Sequence, residues 1–288
     1  MIRVLFMSSQ YFKRLSLIDF YLTYVGSFQR NDLMNHFDIG SVTATRDIKE
    51  YRKLYPENII YDVSSKSYVK NNTSFIKNFD HNDESALQFL SSGEWVSEIE
   101  TNKLIGIDTQ YIKSKYAENV ICNLTQAIYS NSFLKVEYVS NSSGKSSKKL
   151  FPHSIYQLGS KWYTRAFDVE NDSYINLKLS RILSADLSEK NDRSINYLLE
   201  DKAWNSELIL TVAPHPKLPH PETALLDLNL QDKPVFNIKT NEGIAGIVLS
   251  SMKIDITSDA SENPFNYQLR LMNRHDLKDL PSLAYLFK

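Results

Sequence analysis

His153, Ser154, Tyr163, Arg165, Lys178 and Arg181 lie close together in a chain whose net charge is only −1. A guanidinium fork can grip two oxygens of a phosphate. Imidazole and hydroxyl groups can add hydrogen bonds, and a tyrosine ring offers a stacking face. Together these residue types suit an anion that carries an aromatic group, such as a nucleotide. A second set lies nearer the N-terminus. Thr43, Arg46, Lys49 and Lys53 recur at three- and four-residue spacing, with Thr45 on the flank near Ser41 and Lys49. On a helix, such an arginine can fork onto O6 and N7 of guanine, and a threonine can meet a thymine methyl or a phosphate.

Elements of two kinds must hold these sets. Residues 150–182 read as a small antiparallel meander. A turn at Gly159-Ser160 leads into a strand at 161–167, a turn at 170–173 and a further strand at 174–179. Aromatic and β-branched residues at period two, set between Gly, Asn, Asp and Ser turns, support this reading. Alternation puts Tyr163 and Arg165 on one face and Trp162 and Thr164 on the other. Trp162, Phe167, Leu177, Leu179 and Ile182 are expected in the core. On residues alone, a purely structural barrel with His and Arg at its rim is favoured over a sensor. A strand at 133–139 should precede the meander. The Ser-rich loop 141–149, with Lys145, Lys148 and Lys149, would be a solvated hairpin tip or a guide for a polyanion.

The second set needs a helix. Residues 10–25 have Leu15, Ile18, Leu22 and Val25 at helical spacing, and Gly26 ends the run. A short helix at 30–37 follows, then a turn at 38–40 carrying Gly40. Ser41 is placed to cap a third helix at about 42–55, with Ala44, Ile48 and Tyr51 buried. Two strands, 59–63 and 67–69, complete the pattern of a winged helix-turn-helix. Lys66 falls at the wing tip, and Arg30 and Lys70 are further candidate phosphate contacts. Residues 1–80 hold 11 Lys and Arg against 8 Asp and Glu, so any duplex-binding surface is a local patch.

Composition excludes other classes. One cysteine, Cys122, leaves no internal disulfide and no Cys-rich zinc site. His215, His220 and His275 lack ligand spacing, so no metal and no cofactor is expected. No apolar run approaches a membrane span and no signal-peptide pattern opens the chain, so a cytoplasmic protein is expected. Asp168, Glu170 and Asp172 sit on a turn, as solvated carboxylates do, and no phosphate-cradling Gly loop or nucleophile elbow accompanies them; an enzyme is the weaker reading.

The meander resembles the WYL domain, an Sm-like β-barrel of bacterial regulators. The likeness rests on Pro152-His153, Gly159 before Trp162-Tyr163, and Leu179-Ser180-Arg181-Ile182; Thr164 stands where the family's Leu would be. A longer set of words resembles the WYL repressors associated with BREX and CBASS anti-phage systems. These are Arg30-x-Asp32-Leu33, Ala44-x-x-Asp47-Ile48-x-x-Tyr51, Pro56-x-Asn58-Ile59-x-Tyr61-Asp62, Lys66-x-Tyr68, Phe151-Pro152-His153-Ser154 and Arg165-Ala166-Phe167. The resemblance implies an α+β protein in four parts. A winged helix-turn-helix (1–80) is followed by a helical connector (81–130) with a possible hinge at 91–93. A ligand-sensing barrel (131–190) and a C-terminal extension that helps dimerise the protein (191–288) complete it. It further implies a homodimer on an inverted repeat of double-stranded DNA, repressing a phage-defence operon. A nucleotide or single-stranded nucleic acid in the barrel would relieve repression. An activator of the same build remains the alternative.

Overall fold

The computed structural model describes residues 10–81, 83–93, 115–191, 195–231 and 233–287. The chain is α+β and divides into two compact units. The first comprises Met1–Pro152, Asp168–Asn171 and Leu179–Asp192; the second comprises His153–Phe167, Asp172–Lys178 and Arg193–Lys288.

In the first unit, α1 (Gln10–Phe20) runs on as a wider π-helical turn, Tyr21–Val25. Gly26, at φ +86°, closes it by donating its N–H to the Tyr21 carbonyl over 2.8 Å. Strand β1 (Ser27–Phe28) leads to α2 (Arg30–Phe37) and α3 (Ser41–Leu54). Strands β2 (Ile59–Asp62) and β3 (Ser67–Lys70) form the wing, in the sheet order β1-β3-β2. Leu15, Ile18, Leu22, Leu33, Ala44, Ile48, Tyr51 and Ile59 bury the shared core. Phe75 and Phe79 pack back on it, whereas Ile76 is exposed.

Two local expectations are corrected. Ser41 is the first residue of α3 rather than its cap: Gly40 holds the capping position and no side chain bonds the helix end. The left-handed residue of the preceding turn is Asp38, at φ +49°, while Gly40 has an ordinary φ of −72°. A short polar side chain tolerates that region nearly as well as glycine.

Helix α4 (Asp83–Ser92) ends at Gly93, with φ +75°, which places the Ser91-Ser92 break inside its last turn. Residues 94–114 of the expected helical connector lie outside the described residues. Helix α5 (Val120–Tyr129) buries Ile121 and Leu124 and packs on β4 (Ser132–Ser140) and on the later strand Ile182–Lys190. Strand β5 is long, Gly144–Leu158, and pairs antiparallel with β4 from Leu150 opposite Leu134 to Gly144 opposite Ser140. The expected basic loop therefore shrinks to residues 141–143. Its lysines stand on a strand, each beside a carboxylate: Lys145 is 3.0 Å from Glu137, Lys148 is 2.7 Å from buried Asp168, and Lys149 pairs with Glu189.

Strand β5 carries its second half into the second unit, where it neighbours β6 (Lys161–Asp168), and β6 neighbours β7 (Ser173–Lys178). Leu179 ends the meander in a short 3-10 turn, Leu179–Arg181, and Ile182–Lys190 is β8. Trp162, Leu177, Leu179 and Ile182 are buried as expected; Phe167 is only half-buried and rests on Tyr174 and Tyr197. Two one-turn helices follow, α6 (Tyr197–Glu200) and α7 (Lys202–Asn205). The rest is a four-stranded sheet, β10-β9-β12-β11, built from β9 (Glu207–Pro214), β10 (Phe236–Asn241), β11 (Ile254–Asp255) and β12 (Leu269–Leu271). Helices α8 (Glu222–Asp227) and α9 (Ala245–Ser251) bury Leu225, Val248 and Leu249. No described helix is long and apolar enough to cross a membrane.

Candidate functional site

Helix α3 turns two different faces outward and inward. Ala44, Asp47, Ile48 and Tyr51 are buried at i, i+3, i+4 and i+7, the spacing that puts side chains on one stripe. That stripe is fastened by polar bonds as well as by packing. Arg14 of α1 donates its Nε–H to buried Asp47 over 2.5 Å. The Tyr51 hydroxyl donates to Asp19 over 2.6 Å, and the backbone N–H groups of Asn78 and Phe79 donate to the same carboxylate. Asn58 ties Tyr51 to Ile76.

With that face held, the opposite one is left to solvent. Arg30, Ser41, Thr45, Arg46 and Lys49 line an open depression of about 470 Å³ together with Val42 and Glu50. The Arg46 side chain is 65 % exposed, and its Nε lies 3.9 Å from Asp47, so it is held loosely. Thr45 donates its hydroxyl to the Ser41 carbonyl over 2.7 Å, leaving its oxygen to accept. Thr43 is half-buried and Lys53 exposed in the last turn, both outside the depression. Lys66 is exposed at the wing tip with φ +52°, in a turn that Asp62 organises through Ser64 and Ser65. Lys70 differs: it is half-buried with its Nζ 4.9 Å over the Phe75 ring, and burial lowers its pKa. Val42, 83 % exposed one turn before Arg46, is the residue sequence reasoning passed over. Its signal was a β-branched apolar side chain out of phase with Ala44, Ile48 and Tyr51.

The second candidate site lies in the second unit. It brings His153, Ser154 and Arg165 together around a residue not foreseen, Asp201. Arg165 forks onto that carboxylate, Nε–H to Oδ2 at 2.7 Å and Nη2–H to Oδ1 at 3.1 Å. His153 Nε2 lies 3.1 Å from Oδ2, and its Nδ1 lies 2.9 Å from the Ser154 hydroxyl. The Trp204 backbone N–H completes the set over 3.1 Å, which makes Asp201 the cap of α7. Side-chain exposure is 7 % for Arg165, 2 % for His153 and 1 % for Asp201, so this is an interior ion pair rather than a rim. Aromatic rings wall it. Tyr174 lies under the guanidinium at 5.8 Å, Trp204 meets His153 edge-on at 5.5 Å, and Tyr156 stacks on Tyr163 at 5.4 Å. Lys178 is half-buried on β7 of this unit, whereas Arg181 belongs to the first unit.

Burial by itself would raise the Asp201 carboxyl. The hydrogen bonds from His153 and Arg165, the Arg165 charge and the Trp204 N–H outweigh it and hold the group down at about 2. A depressed carboxyl contributes stability above its unfolded pKa and loses it as pH falls through the folded value. Wild-type protein is therefore expected to lose on the order of 2 kcal/mol between pH 4 and pH 2 from this group. Urea midpoints across that range should fall more steeply than in Asp201→Asn; equal slopes would show the carboxylate uncoupled from its partners.

The histidines of the C-terminal part have other duties. His215 and Asp255 are fully buried 3.0 Å apart, and the Lys217 N–H donates to His215 Nδ1. His220 pairs with exposed Glu222. Among the described residues no three His, Cys, Asp or Glu side chains are grouped to hold a metal ion. Burial raises the Cys122 thiol to about 11, which keeps it protonated and inert.

Residues 10–92 match the winged helix-turn-helix domain of the BrxR transcriptional regulator, and residues 119–187 match the WYL domain. The chain therefore carries a BrxR-type winged helix-turn-helix domain followed by a WYL domain. It is similar to proteins named DNA-binding transcriptional repressor CapW. The one from Escherichia coli (strain KTE188) is 29 % identical over 212 residues, 72 % of this chain and 70 % of that one. The one from Pseudomonas aeruginosa is 25 % identical over 277 residues, 93 % of this chain and 91 % of that one. Among solved structures, proteasome accessory factor B/C of Arthrobacter aurescens aligns over 95 % of this chain at 14 % identity, with a TM-score of 0.26. This chain spans about half of that one, 48 %.

Proposed function

We propose that the protein is a transcriptional repressor. In this reading a homodimer sets one α3 into the major groove at each half of an inverted repeat. An anionic nucleotide or single strand held at the Arg165 site releases it. The operon it controls is a phage-defence operon, on the likeness to BREX- and CBASS-associated regulators. The observation that carries DNA reading is the division of α3, with its inner face fastened by Asp47 and Tyr51 and its outer face offering Arg46, Lys49, Thr45 and Val42. Arg46 has the reach for guanine, Val42 suits a thymine methyl, and Arg30, Lys53 and Lys66 suit phosphates.

A gel shift on DNA upstream of the gene, at fixed salt, tests it. Wild type should bind one inverted repeat far more tightly than scrambled DNA. Arg46→Ala should weaken that binding by about 10-fold or more, the worth of a bidentate base contact, with its melting curve unchanged. Lys66→Ala should weaken specific and scrambled DNA alike and flatten the salt dependence. Specific binding that survives Arg46→Ala and Lys49→Ala together would move the DNA site off α3.

A further inference from the structure

We propose that Asp201 is a built-in stand-in for the ligand. Its carboxylate fills the place where Arg165 and His153 hold a phosphomonoester, and the ligand binds by displacing it. This rests on the sensor reading above and adds what the site contains before the ligand arrives.

The geometry is that of an occupied anion site. Two parallel N–H groups of one guanidinium, an imidazole nitrogen and a backbone N–H converge on one carboxylate. A phosphate presents the same pair of oxygens to an arginine fork. A phosphomonoester carries nearly two negative charges at neutral pH, and a carboxylate carries one. The monoester therefore has the charge advantage needed to displace Asp201, and a phosphodiester does not.

The segment that carries Asp201 is built to leave. It joins two four-residue helices, α6 and α7, each too short to be stable by itself. Asp201 supplies the cap of α7, so its departure also removes that helix's end bond. Trp204, three residues on, packs against His153 and lies 5.6 Å from Tyr156. Displacement therefore moves an indole away from the stacked Tyr156 and Tyr163 rings and uncovers a surface on which a base can stack.

The test uses the full chain with three probes: the 5′-phosphorylated dinucleotide pTpT, unphosphorylated TpT, and inorganic phosphate. Asp201→Asn keeps the shape and removes the competing charge. It should bind pTpT about 10-fold or more tightly than wild type, the worth of a charge-assisted hydrogen bond. Its preference over TpT should widen, and its melting temperature should rise with inorganic phosphate more than wild type's. Both gains should vanish in Asp201→Asn/Arg165→Gln. Unchanged or weaker pTpT binding by folded Asp201→Asn overturns the proposal, as does phosphate stabilisation that survives loss of Arg165.

Should Asp201→Asn fail to fold, tryptophan emission decides with wild type. pTpT should shift the emission, and the shift should be lost in Trp204→Phe. Saturating pTpT that leaves the Trp204 contribution unmoved counts against displacement. DNA release separates the two readings. If pTpT releases DNA from wild type while Asp201→Asn binds it no tighter, the sensor stands and the stand-in falls. If Asp201→Asn gains phosphate binding through Arg165 while DNA affinity never changes, the stand-in stands and the sensor falls.

Discussion

Arg165→Ala is expected to lower the stability of the protein by about 3–5 kcal/mol at pH 7, read as a fall in the urea midpoint with little change in slope. The reason lies less in what the ion pair contributes than in what the substitution leaves behind. Asp201 is 1 % exposed, and without the guanidinium its charge would be held by His153 and the Trp204 N–H alone. Uncompensated buried charge is the costly outcome, whereas removal of both partners is often near neutral. Arg165→Ala/Asp201→Ala should therefore recover a good part of the loss. The pH dependence gives an independent check. In wild type the carboxyl sits at about 2, and without Arg165 the burial that opposes this is no longer outweighed as strongly. The deficit of Arg165→Ala should be full at neutral pH and shrink as pH falls below about 4. For contrast, Lys145→Ala breaks the exposed 3.0 Å pair with Glu137 and should cost about 1 kcal/mol or less. A comparable loss in both variants would mean that the second-unit pair is not buried in solution.

The sequence made the winged helix legible because its signals are local. Leu15, Ile18 and Leu22 recur at helical spacing, α2 begins and ends where the pattern placed it, and Ala44, Ile48 and Tyr51 mark the buried side of α3. The recurring words of the chain also acquire physical meanings. Asp32 accepts the Gln29 N–H at the start of α2, Asp47 holds Arg14, Asn58 ties Tyr51 to the segment after the wing, and Tyr68 stacks on Phe28. Legibility failed where a residue's role is set by distant partners. Asp201 stands 36 and 48 positions from Arg165 and His153, in a polar stretch near the start of the C-terminal extension. Nothing local separates it from a solvated turn carboxylate. Lysines 145, 148 and 149 read as a basic loop because Ser and Gly surround them, yet pairing with β4 draws them into a strand beside Glu137, Asp168 and Glu189. Strands β11 and β12 are short, and sheet pairing rather than their own pattern defines them.

Asp19→Ala should be the most damaging single change in the winged-helix domain, at about 3–5 kcal/mol, because one buried carboxylate serves three donors. The Tyr51 hydroxyl comes from α3, the N–H groups of Asn78 and Phe79 come from the segment after the wing, and Asp19 lies on α1. All three stretches lose a shared anchor at once, and the buried Tyr51 hydroxyl is left without its acceptor. Tyr51→Phe removes one donor and keeps the ring in the core, so it should cost only about 1–2 kcal/mol. Burial raises the Asp19 pKa, and the hydrogen bonds from Tyr51, Phe79 and Asn78 oppose it. Asp19→Asn tests those bonds: its amide turns a donor toward donors, and it should be nearly as damaging as Asp19→Ala. Specific DNA affinity, measured where the variants are still folded, should fall further for Asp19→Ala than for Tyr51→Phe. Binding through unspecific phosphate contacts should change least, since Lys53 and Lys66 remain exposed whatever the exact set of α3. If Asp19→Ala lost stability yet read its operator unchanged, packing by Ala44 and Ile48 alone would suffice to aim the helix.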